Sequence, residues 1–474
     1  MKRIRWTFAV ILLACLFALQ PNTSRPLAQH EPEYRQGELL VKFRPGINPL
    51  SISGFHATLG SQVGKRFRKT GAQLIKLRAE LTIKKAIELY EMNPDIEYAE
   101  PNYRFHASDM FPNDPAFGDL WGLHNTGQSG GTLDADIDAP EAWGITTGSN
   151  EVIVAVIDSG VDYQHEDLVE NMWTNHAELY GIPGVDDDGN GYVDDLYGID
   201  TCNDDSDPMD DAGHGTHCAG TIGAVGNNGI GVTGVNWQVG ILALKFLDSE
   251  GYGWSSDAAE CLEYVIMMKE NYGQNIRVTS NSWGGGGYSQ ILYDAIQQAG
   301  DANILFVASA GNEAENIDIN PNYPASFDLP SIISVGASDR DDGLWEVSGP
   351  MAAGSNWGVN SVDVAAPGVS VLSCAPGDAY SYGTGTSMAV PHVSGLASLF
   401  LAVVPSYSWS EVKWHILNSV DSIPSLQGLV LTGGRLNAQH ALNSICSSTG
   451  DIRLDQEFYP VPASVQIWLS DCDV

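Results

Sequence analysis

Positive charge is almost missing from most of this chain. Residues 107–474 hold 7 Lys and Arg against 50 Asp and Glu, and the full 474 residues carry a formal net charge of -36. Such acidity repels phosphate backbones, which excludes nucleic acid as a partner. Internal repeats and low-complexity linkers are also absent, so the chain is not read as a repeat array. The N-terminal apolar run "TFAVILLACLFAL" is too short to span a bilayer. Lys2, Arg3 and Arg5 precede it, and polar, Pro-containing sequence follows. That is the pattern of a secretory signal over residues 1–28, so a secreted protein with no stable membrane span is expected.

Cysteine is sparse. One of the seven, Cys15, lies in the leader, where "LLAC" resembles a lipoprotein box. Lipid anchoring through Cys15 is the alternative to free secretion, although apolar residues continue past it. The other six (Cys202, Cys218, Cys261, Cys374, Cys446 and Cys472) allow 15 pairings, and the sequence does not choose among them. Cys446 with Cys472 is one way to tie down the tail.

The charge divides the chain. Residues 31–106 hold 12 Lys and Arg against 9 Asp and Glu, opposite in sign to the remainder. "GELLVKF" alternates like a strand, "LTIKKAIELYEM" has helical spacing, and "IEYAEPNY" reads as a closing strand. Strand signals at 152–158, 241–246, 276–282, 303–309 and 331–336 alternate with helical stretches at 255–270 and 289–300. This predicts an α/β, doubly wound, mostly parallel sheet flanked by helices. The tail, 446–474, is a short segment or the start of a truncated extra domain. "ASVQIWLSDC" within it is expected to form one strand.

Three segments carry chemistry. "VIVAVIDSG" is a buried-strand pattern closing on Asp158, where open α/β sheets place their sites. "GHGTHCAGT" carries His214, an imidazole able to take and return a proton near neutral pH. "GTGTSMAVPH" carries Ser387 at the head of an apolar helical run, in which Pro391 is tolerated near the start. A helix N-terminus favours developing negative charge. A serine hydroxyl needs a base, and the base an orienter, which assigns Ser387 as nucleophile, His214 as base and Asp158 as orienter.

The chain order Asp, His, Ser and these local sequences resemble the subtilase family of serine peptidases over residues 113–445, nearest its thermitase-like, calcium-binding branch. Asn312 in "AGN" matches the family's oxyanion donor, with the Ser387 N–H as its companion. The resemblance implies that 31–106 is a ferredoxin-like propeptide that assists folding and then inhibits. It is removed by self-cleavage between Phe105 and Phe111. The implied product is a monomeric, secreted serine endopeptidase acting on polypeptides. Cys218 matches a free buried thiol of related enzymes.

Calcium is the expected ion. In "GVDDDGNGYVDDLYGID", Asp186, Asp188, Asn190 and Asp194 alternate with Gly turns, a pattern that wraps a hard cation. It is not an EF-hand, because the twelfth position is Tyr197. Asp204, Asp205, Asp207, Asp210 and Asp211 are candidates to feed another ion. The resemblance implies a further site at Asp114, Asp167 and Asn228, with backbone carbonyls of Val225, Ile230 and Val232.

Two Gly-rich edges suit an added peptide strand: Ser282, Trp283 and Gly284 in "NSWGGGG", and Gly251 and Gly253 in "SEGYGW". No acid lies within Gly284–Gly287, which favours an apolar or aromatic residue before the cut. Two competing readings remain: a calcium-dependent binding protein without turnover, and a kexin-like processing enzyme with acidic subsites.

Overall fold

The computed structural model describes residues 34–79, 81–103, 109–347, 353–446, 451–454 and 467–470. The leader with Cys15, residues 104–108, which take in part of the expected cleavage region, and Cys472 lie outside them. The chain forms two compact units, Met1–His106 and Ala107–Val474.

In the first unit, β1 (Tyr34–Phe43), α1 (Pro49–Thr58), β2 (Gln62–Arg66), β3 (Gln73–Lys76), α2 (Ile83–Glu91) and β4 (Ile96–Tyr103) follow in order. The antiparallel sheet runs β2-β3-β1-β4, the expected ferredoxin-like order. Thr82 caps α2 by accepting from the Lys85 N–H, and Ile83, Ala86 and Tyr90 recur on its buried face. They pack with Leu39, Val41 and Ile75. The helix α1 and strands β2 and β3, unmarked by the residue patterns, complete the unit that the resemblance implies.

In the second unit, α3 (Ala139–Trp143) leads into β5 (Gly148–Asp158), α4 (His176–Leu179), β6 (Gly198–Asp200), α5 (His214–Gly223), β7 (Gln238–Lys245), α6 (Ser255–Glu270), β8 (Ile276–Asn281), α7 (Gln290–Asp301), β9 (Leu305–Ser309) and β10 (Ile332–Ser338). One nine-stranded sheet runs β6-β7-β5-β8-β9-β10, then Val364–Pro367, Gly434–Arg435 and Asp421–Ser422. Every neighbouring pair is parallel except the last, an antiparallel edge. The run at β5 is unbroken because both faces are covered. Val152, Val154 and Val156 enter one core with α5 and the long helix α8 (Thr386–Val403). Ile153, Ala155 and Ile157 enter the other with α6 and α7. The helix α8 is the one described helix long and apolar enough to cross a membrane, and it is a core helix here.

Elements are added to the expected pattern, and the tail differs from expectation. The short edge strand β6 and a hairpin of Val371–Ala375 with Ala379–Gly383 add to the pattern. In the tail, Ile467–Ser470 pairs antiparallel with Asp451–Leu454, giving two strands where one was expected. Cys202, Cys218, Cys261 and Cys374 are free thiols.

Candidate active site

Element ends converge on a cleft of about 440 Å³ lined by His214, Ser387, Asn312, Ser282, Trp283, Gly284 and Gly251, among others. Asp158 is the last residue of β5 and is fully buried. His214 opens α5, and Ser387 is the second residue of α8. The helix α5 approaches the strand end closely because residue 215 is glycine: a Cβ there would lie 2.0 Å from the Gly160 carbonyl oxygen. Gly213, before His214, takes a left-handed φ of 88°, which favours glycine.

His214 Nδ1 lies 2.7 Å from Asp158 Oδ1, which also accepts the Ser159 N–H at 2.8 Å. This pairing leaves His214 Nε2 for the cleft. Burial works against an imidazolium, but the Asp158 carboxylate, and more weakly Asp210, outweigh it, so the His214 pKa is raised. The Ser387 hydroxyl donates to the Ser282 carbonyl oxygen at 2.9 Å, and so must turn toward His214 before it can give up its proton. Asn312 Oδ1 accepts both the Thr386 N–H and hydroxyl at 2.9 Å, which fixes the amide and turns Nδ2 away as a free donor. Cys218, buried beside Asp158 and His214, has its thiol pushed well up by burial, which keeps it protonated.

Trp283 lines the cleft but is anchored beneath it. Its indole N–H donates to the Ile157 carbonyl, and its ring meets Phe246 edge-on at 4.9 Å. Gly251 lines the cleft at φ 83°, whereas Gly253 packs against Phe246, where a Cβ would lie 2.4 Å from the carbonyl oxygen. Gly253 therefore shapes the segment from behind. Two carboxylates unforeseen in the sequence, Glu250 and Glu313, also line the cleft, and among the described residues neither Lys nor Arg does.

The expected ion sites divide. Asp114 and Asp167 come together at the 225–232 loop. Asp114 accepts the Asn227 and Asn228 N–H groups, and Asp167 accepts Asn228 Nδ2, the Val232 N–H and the Tyr380 hydroxyl. Burial, with Asp114 adding to it, raises the Asp167 pKa. Two buried carboxylates held together without a cationic side chain fit a bound cation. Val225 and Ile230 flank them, their N–H groups donating to the Asp167 carbonyl and Asn228 Oδ1.

In the other loop, Asp186 and Asp188 converge with Glu178, which lies outside the acidic run and was missed. Asn190 Oδ1 is taken by the Tyr192 N–H, and Asp194 Oδ2 by the Gly184 N–H. Asp195, also missed, is raised to about 6, chiefly by burial. The five acids set down for a further ion separate. Asp210 fills with protein donors, Asp211 pairs with Lys245 and Asp207 accepts the Tyr163 hydroxyl. Asp204 and Asp205 line a separate cleft of about 460 Å³.

The subtilase family pattern matches residues 149–446. This chain belongs to the subtilase family. The fervidolysin N-terminal prodomain pattern matches residues 21–102, so the subtilase is preceded by a prodomain. It is 32% identical over 420 residues to a thermophilic serine proteinase of Bacillus sp. (strain AK1), covering 86% of this chain and 88% of that one. It is 34% identical over 325 residues to subtilisin-like protease 1 of Plasmodium berghei, covering 65% of this chain and 53% of the relative. With the Plasmodium falciparum (isolate 3D7) protein of the same name it shares 35% over 303 residues, 43% of that chain. The chain thus spans about half the length of these Plasmodium relatives.

Proposed function

We propose that this chain is the precursor of a secreted, calcium-dependent serine endopeptidase. The observation that carries the reading is the 2.7 Å pairing of Asp158 with His214 at a cleft that also presents the Ser387 hydroxyl. Ser387 attacks a peptide carbonyl while His214 takes its proton, and Asp158 holds the imidazole tautomer. The developing oxyanion is met by Asn312 Nδ2 and the Ser387 N–H, one of the first-turn donors of α8. His214 then returns the proton to the leaving amine, and water releases the acyl group. The 31–106 segment acts as a propeptide inhibitor, and 113–445 as the peptidase.

Calcium at Asp114, Asp167 and Asn228, with carbonyls of Val225, Ile230 and Val232, and at Asp186, Asp188, Asn190 and Asp194, would stabilise the folded state by binding it alone. The partners are polypeptides met at Ser282, Trp283, Gly284 and Gly251, with Gly253 supporting the Gly251 edge from behind, and the mature enzyme is a monomer. Glu250 and Glu313 favour a second reading of specificity, for basic residues near the cut. Peptides with Phe or Arg before the cut separate it from the apolar preference.

The test is paired expression, with Ca²⁺, of the full chain and its Ser387→Ala variant, followed by intact-mass analysis. Loss of roughly the first 110 residues in the parent alone supports the reading. Two folded, full-length products overturn it.

A further inference from the structure

The start of α5 has an unusual cap. Its N-cap residue, Gly213, has no side chain to satisfy the first N–H groups of the helix. The buried carboxylate of Asp210 does so instead. Its Oδ1 accepts the Ala212 N–H at 3.0 Å, the Gly213 N–H at 2.8 Å and the Ser159 hydroxyl at 2.8 Å. Its Oδ2 accepts the Thr216 N–H at 2.9 Å and the Thr216 hydroxyl at 2.6 Å. Ser159 Oγ in turn accepts the Gly215 N–H at 3.0 Å, and the Ser159 N–H donates to Asp158 Oδ1. One carboxylate thus links the strand end that carries Asp158 to both sides of His214.

We propose that Asp210 is a positioning residue for His214, fixing the first turn of α5 and biasing the imidazole through its charge. The proposal rests on the reading of His214 as general base. An anion at a helix N-terminus is favoured by the macrodipole, so the cap and the charge act together. The other charged and titratable groups around His214 are Asp158 from β5, His217 and Cys218 from α5, and Glu250 and Glu313 lining the cleft. Lys245 from β7 is committed to Asp211, the Ser159 carbonyl and the Leu247 carbonyl, and leaves Asp210 unneutralised. Asp210 also weighs toward protonated His214 in the balance of charges there.

The test titrates the His214 imidazole by NMR in the full chain carrying Ser387→Ala, with and without Asp210→Asn, and measures kcat and KM in the active background. The His214 midpoint is expected to fall by about half a pH unit or more. The kcat is expected to drop about tenfold at nearly unchanged KM. Ser159→Ala keeps the charge and removes the link, so it should lower kcat with no comparable shift in the midpoint. An Asp210→Asn protein with the parent's midpoint and kcat overturns the proposal. If Asp210→Asn does not fold, Ser159→Ala decides, and a parental kcat overturns it. A parent whose Ser387 never reacts with a serine-directed phosphonate, while the His214 midpoint still shifts, overturns the peptidase reading and leaves the positioning role supported.

Discussion

Pro391 lies four residues beyond Ser387 in α8, so it lacks the N–H that would have bonded the Ser387 carbonyl. The Ser282 hydroxyl takes that place at 2.9 Å, with the Cys218 thiol at 3.5 Å. Ser282 thereby holds Ser387 twice, accepting its hydroxyl and donating to its carbonyl. Ser282→Ala should cost about 1 kcal/mol of stability for the lost hydrogen bond. Chemical denaturation in the Ser387→Ala background, free of self-digestion, measures this.

The oxyanion role proposed for Asn312 predicts a loss in rate with little loss in binding. Asn312→Ala removes a donor already aligned by Thr386, and kcat should fall roughly 10²–10³-fold. Steady-state kinetics on a peptide amide decide it. A rise in KM at unchanged kcat instead would assign Asn312 to ground-state binding.

The raised His214 pKa fixes the sign of the acid limb. The proposed general-base role needs the neutral imidazole, and carboxylates stabilise the charged one. The kcat/KM of the processed enzyme should therefore fall as pH drops through a midpoint above the ordinary value of about 6.5. A pH–rate profile with its midpoint below that value would contradict the charge balance described.

Calcium removal should destabilise the protein more at higher pH. The Asp167 pKa is raised by burial, so its ionisation opposes folding when no cation is present, and that cost grows as pH rises through the folded-state pKa. A cation held at 100 times its Kd would add about 2.7 kcal/mol. Thermal unfolding with Ca²⁺ and with chelator, in the parent and in Asp167→Asn, tests this. The variant should lose part of the calcium-dependent gain.

In the first unit, acid should act in the opposite direction. His56 is buried between the Tyr90 hydroxyl at 2.8 Å and Gln73 at 3.3 Å, and burial lowers its pKa. Its folded pKa lies below the unfolded one, so the stability it confers is present above about 6.5 and lost as pH falls through the folded value. Limited proteolysis of the full Ser387→Ala chain should cut the 34–103 region faster at pH 5 than at pH 8. His56→Phe should weaken that contrast.

The positions of Asp158, His214 and Ser387 at element ends were readable because local pattern marks each: an apolar strand closing on an acid, a Gly-flanked histidine, and a serine opening an apolar helix. The alternating strands and helices of the sheet followed from the same periodicity. Asp210 and Glu178 were not readable in their roles, because their partners come from distant loops and an acidic segment looks alike whether its oxygens meet cations or backbone N–H groups. The helix α1, "PLSISGFHAT", is interrupted by Gly54 and by serines, and it is held where Ile52 and Phe55 pack on the core and His56 bonds Tyr90 across the fold. Glu250 stood beside Gly251 in "SEGYGW", whereas Glu313 reaches the cleft from a separate segment, which the Gly-rich runs alone could not indicate.

The central place of β5 also sets a timetable. Its neighbours in the sheet are β7 and β8, and Ile153 pairs with Ile276. During synthesis the strand carrying Asp158 must wait for more than a hundred residues before both its edges are closed. The four strands of the first unit pair with one another entirely within residues 34–103. Low contact order favours fast folding, and long-range parallel pairing slows it. The small unit can therefore be finished while the strand that will hold the histidine's partner is still an open edge, exposed to wrong partners for as long as translation takes to deliver β8.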